Sequence, residues 1–169
     1  FYFNSYNFGN FLLVMPPLFL ENYASILKSL HGGIGILSLI ALGFGVYLIV
    51  TRAKIDWNAG LKASLVGIIA NLLSFILGLL IYPVFRVKVR AEYFDPKLPW
   101  LTGLFEIKEY LAAIGLFIAL VLLAYYYFFK IEESEKPIKQ SFINLLFVLF
   151  LITFFSTFVG IFLGFYKSI

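Results

Sequence analysis

Cysteine is absent from the 169 residues, and histidine and methionine occur once each, as His31 and Met15. Without cysteine the chain holds no disulfide, no thiolate-bound iron–sulfur cluster, no haem attached through C-x-x-C-H and no thiol nucleophile. One histidine is too few for a four-ligand zinc site, and no second histidine exists to act as a base. The H-E-x-x-H and G-x-S-x-G motifs are missing, as are Walker-type and dinucleotide-binding glycine loops. Hydrolytic and nucleotide-driven chemistry therefore have little support.

Charge is scarce too. Only 13% of residues are charged, 62% are hydrophobic and the mean hydropathy is +0.98. Soluble domains are about half apolar and a quarter charged, so this composition is that of an integral membrane protein. A formal charge of +4 is ordinary for that class and gives no reason to invoke nucleic acid.

A helix needs about 20 apolar residues to cross a bilayer, which leaves room for four spans. They are read at about 23–50, 61–83, 107–129 and 141–166, forming two hairpins in an all-α four-transmembrane-helix bundle. Residues 1–21 are aromatic, then apolar, but are broken by Pro16-Pro17, so they suit an interfacial segment rather than a span. Small residues stripe each span: Gly35, Ser38 and Gly45 after His31, then Gly67, Ser74 and Gly78, and further sets in the third and fourth spans. Such faces let helix backbones approach closely in lipid. Asn71, about 13 Å in from Lys62 at 1.5 Å per residue, needs a hydrogen-bond partner on another helix. Helix–helix adhesion is the first reading for it, an ion or proton path the second. Trp57 suits an interfacial anchor and Pro137 the first turn of the last helix.

The long polar interruption lies at 84–106 and is expected to be a loop between the second and third spans. With its flanks (82–110) it carries five of the thirteen basic residues (Arg86, Lys88, Arg90, Lys97, Lys108) and four of the nine acids (Glu92, Asp95, Glu106, Glu109). The alternation V-F-R-V-K-V-R at 84–90 reads as a short strand, or else as an overhang of the second helix. Asp95-Pro96 and Leu98-Pro99 force a turn or an extended path, and Thr102 suits an N-cap. The basic alternation is suited to anionic lipid headgroups, or to a partner's acidic edge. Basic residues number seven on the face of the termini and this loop and six on the other, so orientation is not set by charge. No internal repeat supports an inverted-repeat transporter.

His31 and Glu109 each stand 21 positions before a basic residue at the far end of their spans, Arg52 and Lys130. That separation is about 31 Å, one hydrocarbon thickness, so both belong at the face of the long loop. There they could approach Arg86, Arg90, Trp100 and Glu106. A histidine followed by Gly32-Gly33 can ligate haem b as a metal ligand, with Arg and Lys pairing the propionates. Alternatively, His31 with Glu106 and Glu109 can hydrogen-bond a quinone and move its protons. Against both stands the plainer reading of an interfacial histidine bonded to a backbone carbonyl or to water. Four-helix cytochrome b modules use paired histidines and this chain has one, so the outline is similar and the motif is not.

The sequence thus leads to an expected membrane subunit of a multi-subunit respiratory or electron-transfer complex, not catalytic on its own. It would anchor the complex and contribute to a haem b or quinone pocket, with other membrane subunits and lipids as partners. Its setting would be a bacterial or archaeal cytoplasmic membrane or an organelle inner membrane. A cofactor-free structural or assembly subunit is the alternative. A small transporter or channel, lined by Asn71, Thr153 and Glu109, is a third class.

Overall fold

The computed structural model describes residues 20–131 and 134–167, without the side chains of residues 52–56. Residues 1–19 of the expected interfacial segment, Met15 included, lie outside the described residues. Four helices are long and apolar enough to cross a membrane: α1 (Glu21–Thr51), α2 (Trp57–Lys97), α3 (Pro99–Phe128) and α4 (Lys136–Tyr166). Their backbone groups are satisfied within each helix, which is what a hydrocarbon solvent requires. Between 17% and 33% of each span is buried inside the chain, so most of the helix surface faces lipid or partners. The expected all-α bundle is present, with no strand among the described residues.

Helical backbone is recorded throughout Ala24–Phe85, 62 residues, yet a straight rod of that length would extend about 93 Å. It does not: His31 meets Ser74 and Ile49 meets Gly60, so the chain reverses between Ile49 and Gly60. The two arms lie nearly backbone to backbone. A Cβ built on Gly67 would stand 2.8 Å from the Leu42 amide nitrogen, and one on Gly45 would stand 2.9 Å from that of Ser64. Ser38, fully buried, donates to the Gly67 carbonyl at 2.8 Å and fixes the register. The small-residue stripes of the first two spans thus face each other.

The expected loop at 84–106 is replaced by helix. α2 continues as nine residues of wider helix, Arg86–Phe94, in which hydrogen bonds reset to i→i−5, as where the Asp95 amide donates to the Arg90 carbonyl. The widening follows Pro83, whose ring removes a backbone donor and crowds the preceding turn. A helix bonded i→i−5 brings positions about five apart close to one face, and the buried residues are Val84, Val89 and Phe94. The alternation of bases and β-branched residues is therefore the two sides of a widened helix, not a strand. Only Leu98 leaves helical geometry (φ −142°, ψ 62°), where the following Pro99 disfavours it. Asp95 stays helical before Pro96. Thr102 is not an N-cap: α3 already begins at Pro99, and the Thr102 hydroxyl donates to Asp95 Oδ1 at 2.6 Å, clasping the turn. Pro137 occupies the first turn of α4 as expected.

α3 and α4 run antiparallel, with Gly115 against Ile152 and Leu149. Two apolar clusters tie the helices together. One joins Leu42, Ile49, Leu61 and Ile68 to Ala119, Leu122, Phe142, Leu146 and Leu149, with Trp57 packed at its edge. The other, richer in aromatics, joins Val89 and Phe94 to Leu101, Phe105, Val159 and Leu163.

The seam between α1 and α2 predicts an asymmetric response to added methyl groups. Gly67→Ala should lower stability by about 1–3 kcal/mol, because its Cβ would meet the Leu42 backbone nitrogen as well as that residue's side chain, and the backbone cannot swing aside. Gly32→Ala, with open space around it, should be neutral or slightly stabilising, as alanine favours helix. Unfolding of each variant in micelles, followed by circular dichroism, separates the two outcomes.

Candidate polar layer between two apolar clusters

Polar side chains occur on all four helices in the gap between the clusters. On α2 this gap holds Asn71 and Ser74, between Ile68 and Tyr82; on α3 it holds Lys108, between Phe105 and Ile118. On α4 it holds Thr153 and Ser156, between Leu149 and Val159, and on α1 His31 stands opposite Ser74.

His31 reaches this layer because Gly78 lies against its ring: a Cβ there would be 3.2 Å from the imidazole Cε1. Its Nδ1 lies 2.8 Å from the Ser74 carbonyl oxygen. A carbonyl only accepts, so Nδ1 carries the hydrogen, and in the neutral ring Nε2 keeps its lone pair. The Ser74 hydroxyl returns the contact, donating to the His31 carbonyl at 3.1 Å. Asn71 Nδ2 donates to Thr153 Oγ1 at 2.9 Å, and Thr153 donates onward to the Leu149 carbonyl at 2.8 Å. The asparagine is therefore matched across helices, which favours adhesion over a hydrated path.

Lys108 is the exception. Its ammonium lies over the Phe105 ring, 5.9 Å from the centroid, and 3.5 Å from where a Cβ would stand on Gly160. It is within electrostatic reach of His31 and Glu109, but no carboxylate or carbonyl among the described residues bonds it. One turn before Gly160, the Ser156 hydroxyl is buried and has no hydrogen-bond partner among the described residues.

Of the residues singled out in the sequence, the structure brings some together and separates others. Arg90 Nη2 bonds Glu106 Oε1 at 2.7 Å, and Arg90 Nε lies 3.6 Å from Asp95 Oδ1. Glu109 is in electrostatic reach of Arg90, Lys108, Glu106 and Arg86. Lys88 pairs with Glu21, joining α2 to the start of α1. His31 is in electrostatic reach of this charged group through Lys108. Trp100 does not join it; half-exposed, it packs 6.2 Å from Phe162 and 5.7 Å from Tyr166 at the end of the bundle. Gly32 and Gly33 are exposed with open space around them, on other sides of α1 than His31.

The sequence places Lys108 only in the flank of the polar interruption, whereas the structure sets it well inside α3. The missed signal is the true start of α3. Counted from Pro99, Lys108 is nine residues in, or about 14 Å along the axis. Among the described residues, no group of three or more histidine and acidic side chains comes together to hold a metal ion. Comparison of the chain with known protein families, characterised proteins and solved structures returns no match.

Asn71→Leu and Thr153→Val should each destabilise the bundle, and a double-mutant cycle between them should give a coupling of about 0.6 kcal/mol, the mean for interhelical bonds in membrane bundles. Additive losses in micelle unfolding would mean that the bond does not form.

Proposed function

We propose that the chain is a membrane subunit of an electron-transfer complex, and that its polar layer binds the headgroup of a quinone. One observation carries the reading. Two donors inside a membrane bundle, the Lys108 ammonium and the buried Ser156 hydroxyl, have no hydrogen-bond acceptor among the described residues. An ionisable group at such depth is expensive to keep and marks a functional site by default. Its natural counterpart is an apolar molecule with carbonyl oxygens.

A bound quinone would supply two-electron, two-proton carrier chemistry. The chain's own residues would hold and orient it. Lys108 and Ser156 would donate to its oxygens, and His31, kept in one tautomer by Ser74, would present Nε2 as an acceptor for a hydroxyl. Glu109, between Arg90 and Lys108, would pass protons between the layer and the charged ends of α2 and α3. Electrons would come from another subunit of the complex.

Haem b is the weaker fit. His31 supplies one axial nitrogen, and the sequence has no second histidine. The glycine pair that was expected to make room for a macrocycle lies away from the imidazole face packed on α2. A purely bracing subunit is favoured by the glycine seam and the Asn71–Thr153 bond, but that reading leaves Lys108 unexplained.

The test uses the protein purified gently with its co-purifying subunits. Binding of a short-tailed quinone, read by quenching of intrinsic fluorescence, should weaken at least tenfold in Lys108→Met, the loss of one charge-assisted hydrogen bond. The assembly should be retained. Undiminished binding, or none in the wild type, would overturn the quinone reading. A reduced-minus-oxidised b-type band that vanishes in His31→Ala would replace it with haem.

A further inference from the structure

Two lysines from distant parts of the chain converge on one aromatic ring. Lys97, the last residue of α2, places Nζ 4.9 Å from the Tyr93 ring centroid, and Lys167, the residue after α4, places Nζ 5.9 Å from the same centroid. The ammonium groups are thus no farther apart than those two distances together. Both lysines are exposed, and neither forms an ion pair among the described residues. The acid nearest Lys97 in sequence, Asp95, is occupied by Arg90 and Thr102. Two cations around one ring, neither of them ion-paired among the described residues, leave a site complementary to an anion.

Its level in the membrane says which anion. α4 has 31 residues, about 46 Å of helix, which matches the roughly 40–45 Å of a bilayer counted with its headgroups. Lys167 follows its last residue and so lies at headgroup level, and Lys97 shares that level through Tyr93. Trp100 and Tyr166 pack edge to face beside them, as aromatic residues do at the membrane interface. The basic alternation at 86–90 is a poorer candidate, because Lys88 and Arg90 are already paired with Glu21 and Glu106.

We propose that Tyr93, Lys97 and Lys167 form a docking site for one anionic phospholipid headgroup, with its phosphate between the two ammonium groups. The site is independent of the polar layer and of any quinone. It holds the ends of α2 and α4 together through a shared counter-ion.

The experiment measures lipid retention by native mass spectrometry, together with thermal stability in mixed micelles containing phosphatidylglycerol, phosphatidylcholine or inorganic phosphate. Wild type should retain phosphatidylglycerol and melt higher with it than with phosphatidylcholine. K97Q/K167Q should bind it about 30-fold more weakly, from roughly tenfold or less per lysine near an anionic surface. The control K62Q/K136Q removes the same charge from exposed lysines at the other end of the bundle, and should bind as wild type does. Because all four lysines are exposed, helicity should be unchanged in both variants. Equal retention by K97Q/K167Q and wild type would overturn the proposal, as would equal loss in the control. Stabilisation by inorganic phosphate as large as by phosphatidylglycerol would also overturn it, in favour of a free anion.

Discussion

The close approach of α1 and α2 is the contact on which the rest of the molecule depends. Lipid tails are as apolar as leucine, so burying apolar surface gives helices in a membrane little reason to associate. What holds them is van der Waals contact at short range and hydrogen bonds that need short range. Gly45, Gly60 and Gly67 provide it by letting one backbone lie on the other. At that separation Ser38 reaches the Gly67 carbonyl, and His31 and Ser74 reach each other. Larger side chains along the seam would push the arms apart and leave four polar groups without partners.

A second constraint governs charge. Removing ions from water is costly unless they are paired, and where α2 meets α1 and α3 the chain pairs charges across helices. Lys88 bonds Glu21 and Arg90 bonds Glu106, each pair linking two helices. These pairs join the aromatic cluster in closing the end of the bundle where α2 turns into α3. Lys108 sits just inside that closure without an acceptor among the described residues, which is why the functional proposal rests on it. Its position between the two dry clusters means that any ligand reaching it must itself be largely apolar.

The helical continuation through 84–106 changes what the polar interruption means. As a loop it would have been a free surface beside the membrane. As an extension of α2 turning directly into α3, it is a rigid rim whose charges are mostly consumed in bonds between helices. Of the cations without an ion pair among the described residues, Lys97 falls at its edge, where the end of α4 brings Lys167 alongside.

By itself the sequence determined the class and the count of helices, because long apolar runs and scarce charge leave a chain no other way to satisfy its backbone in a bilayer. It also pointed to the stripes that pack, since small residues at helical spacing have one physical use in lipid. It could not show that V-F-R-V-K-V-R is helix, because alternation and a widened turn following Pro83 place the same residues on opposite sides. Nor could it foresee that Arg90 is bound by Glu106, that Trp100 stands apart, or that Lys108 shares a layer with His31 and Ser156. Those are relations between helices, decided by how closely α1 and α2 approach and by where Leu98 breaks the chain. Spacing along one helix carries no information about the neighbour it will meet.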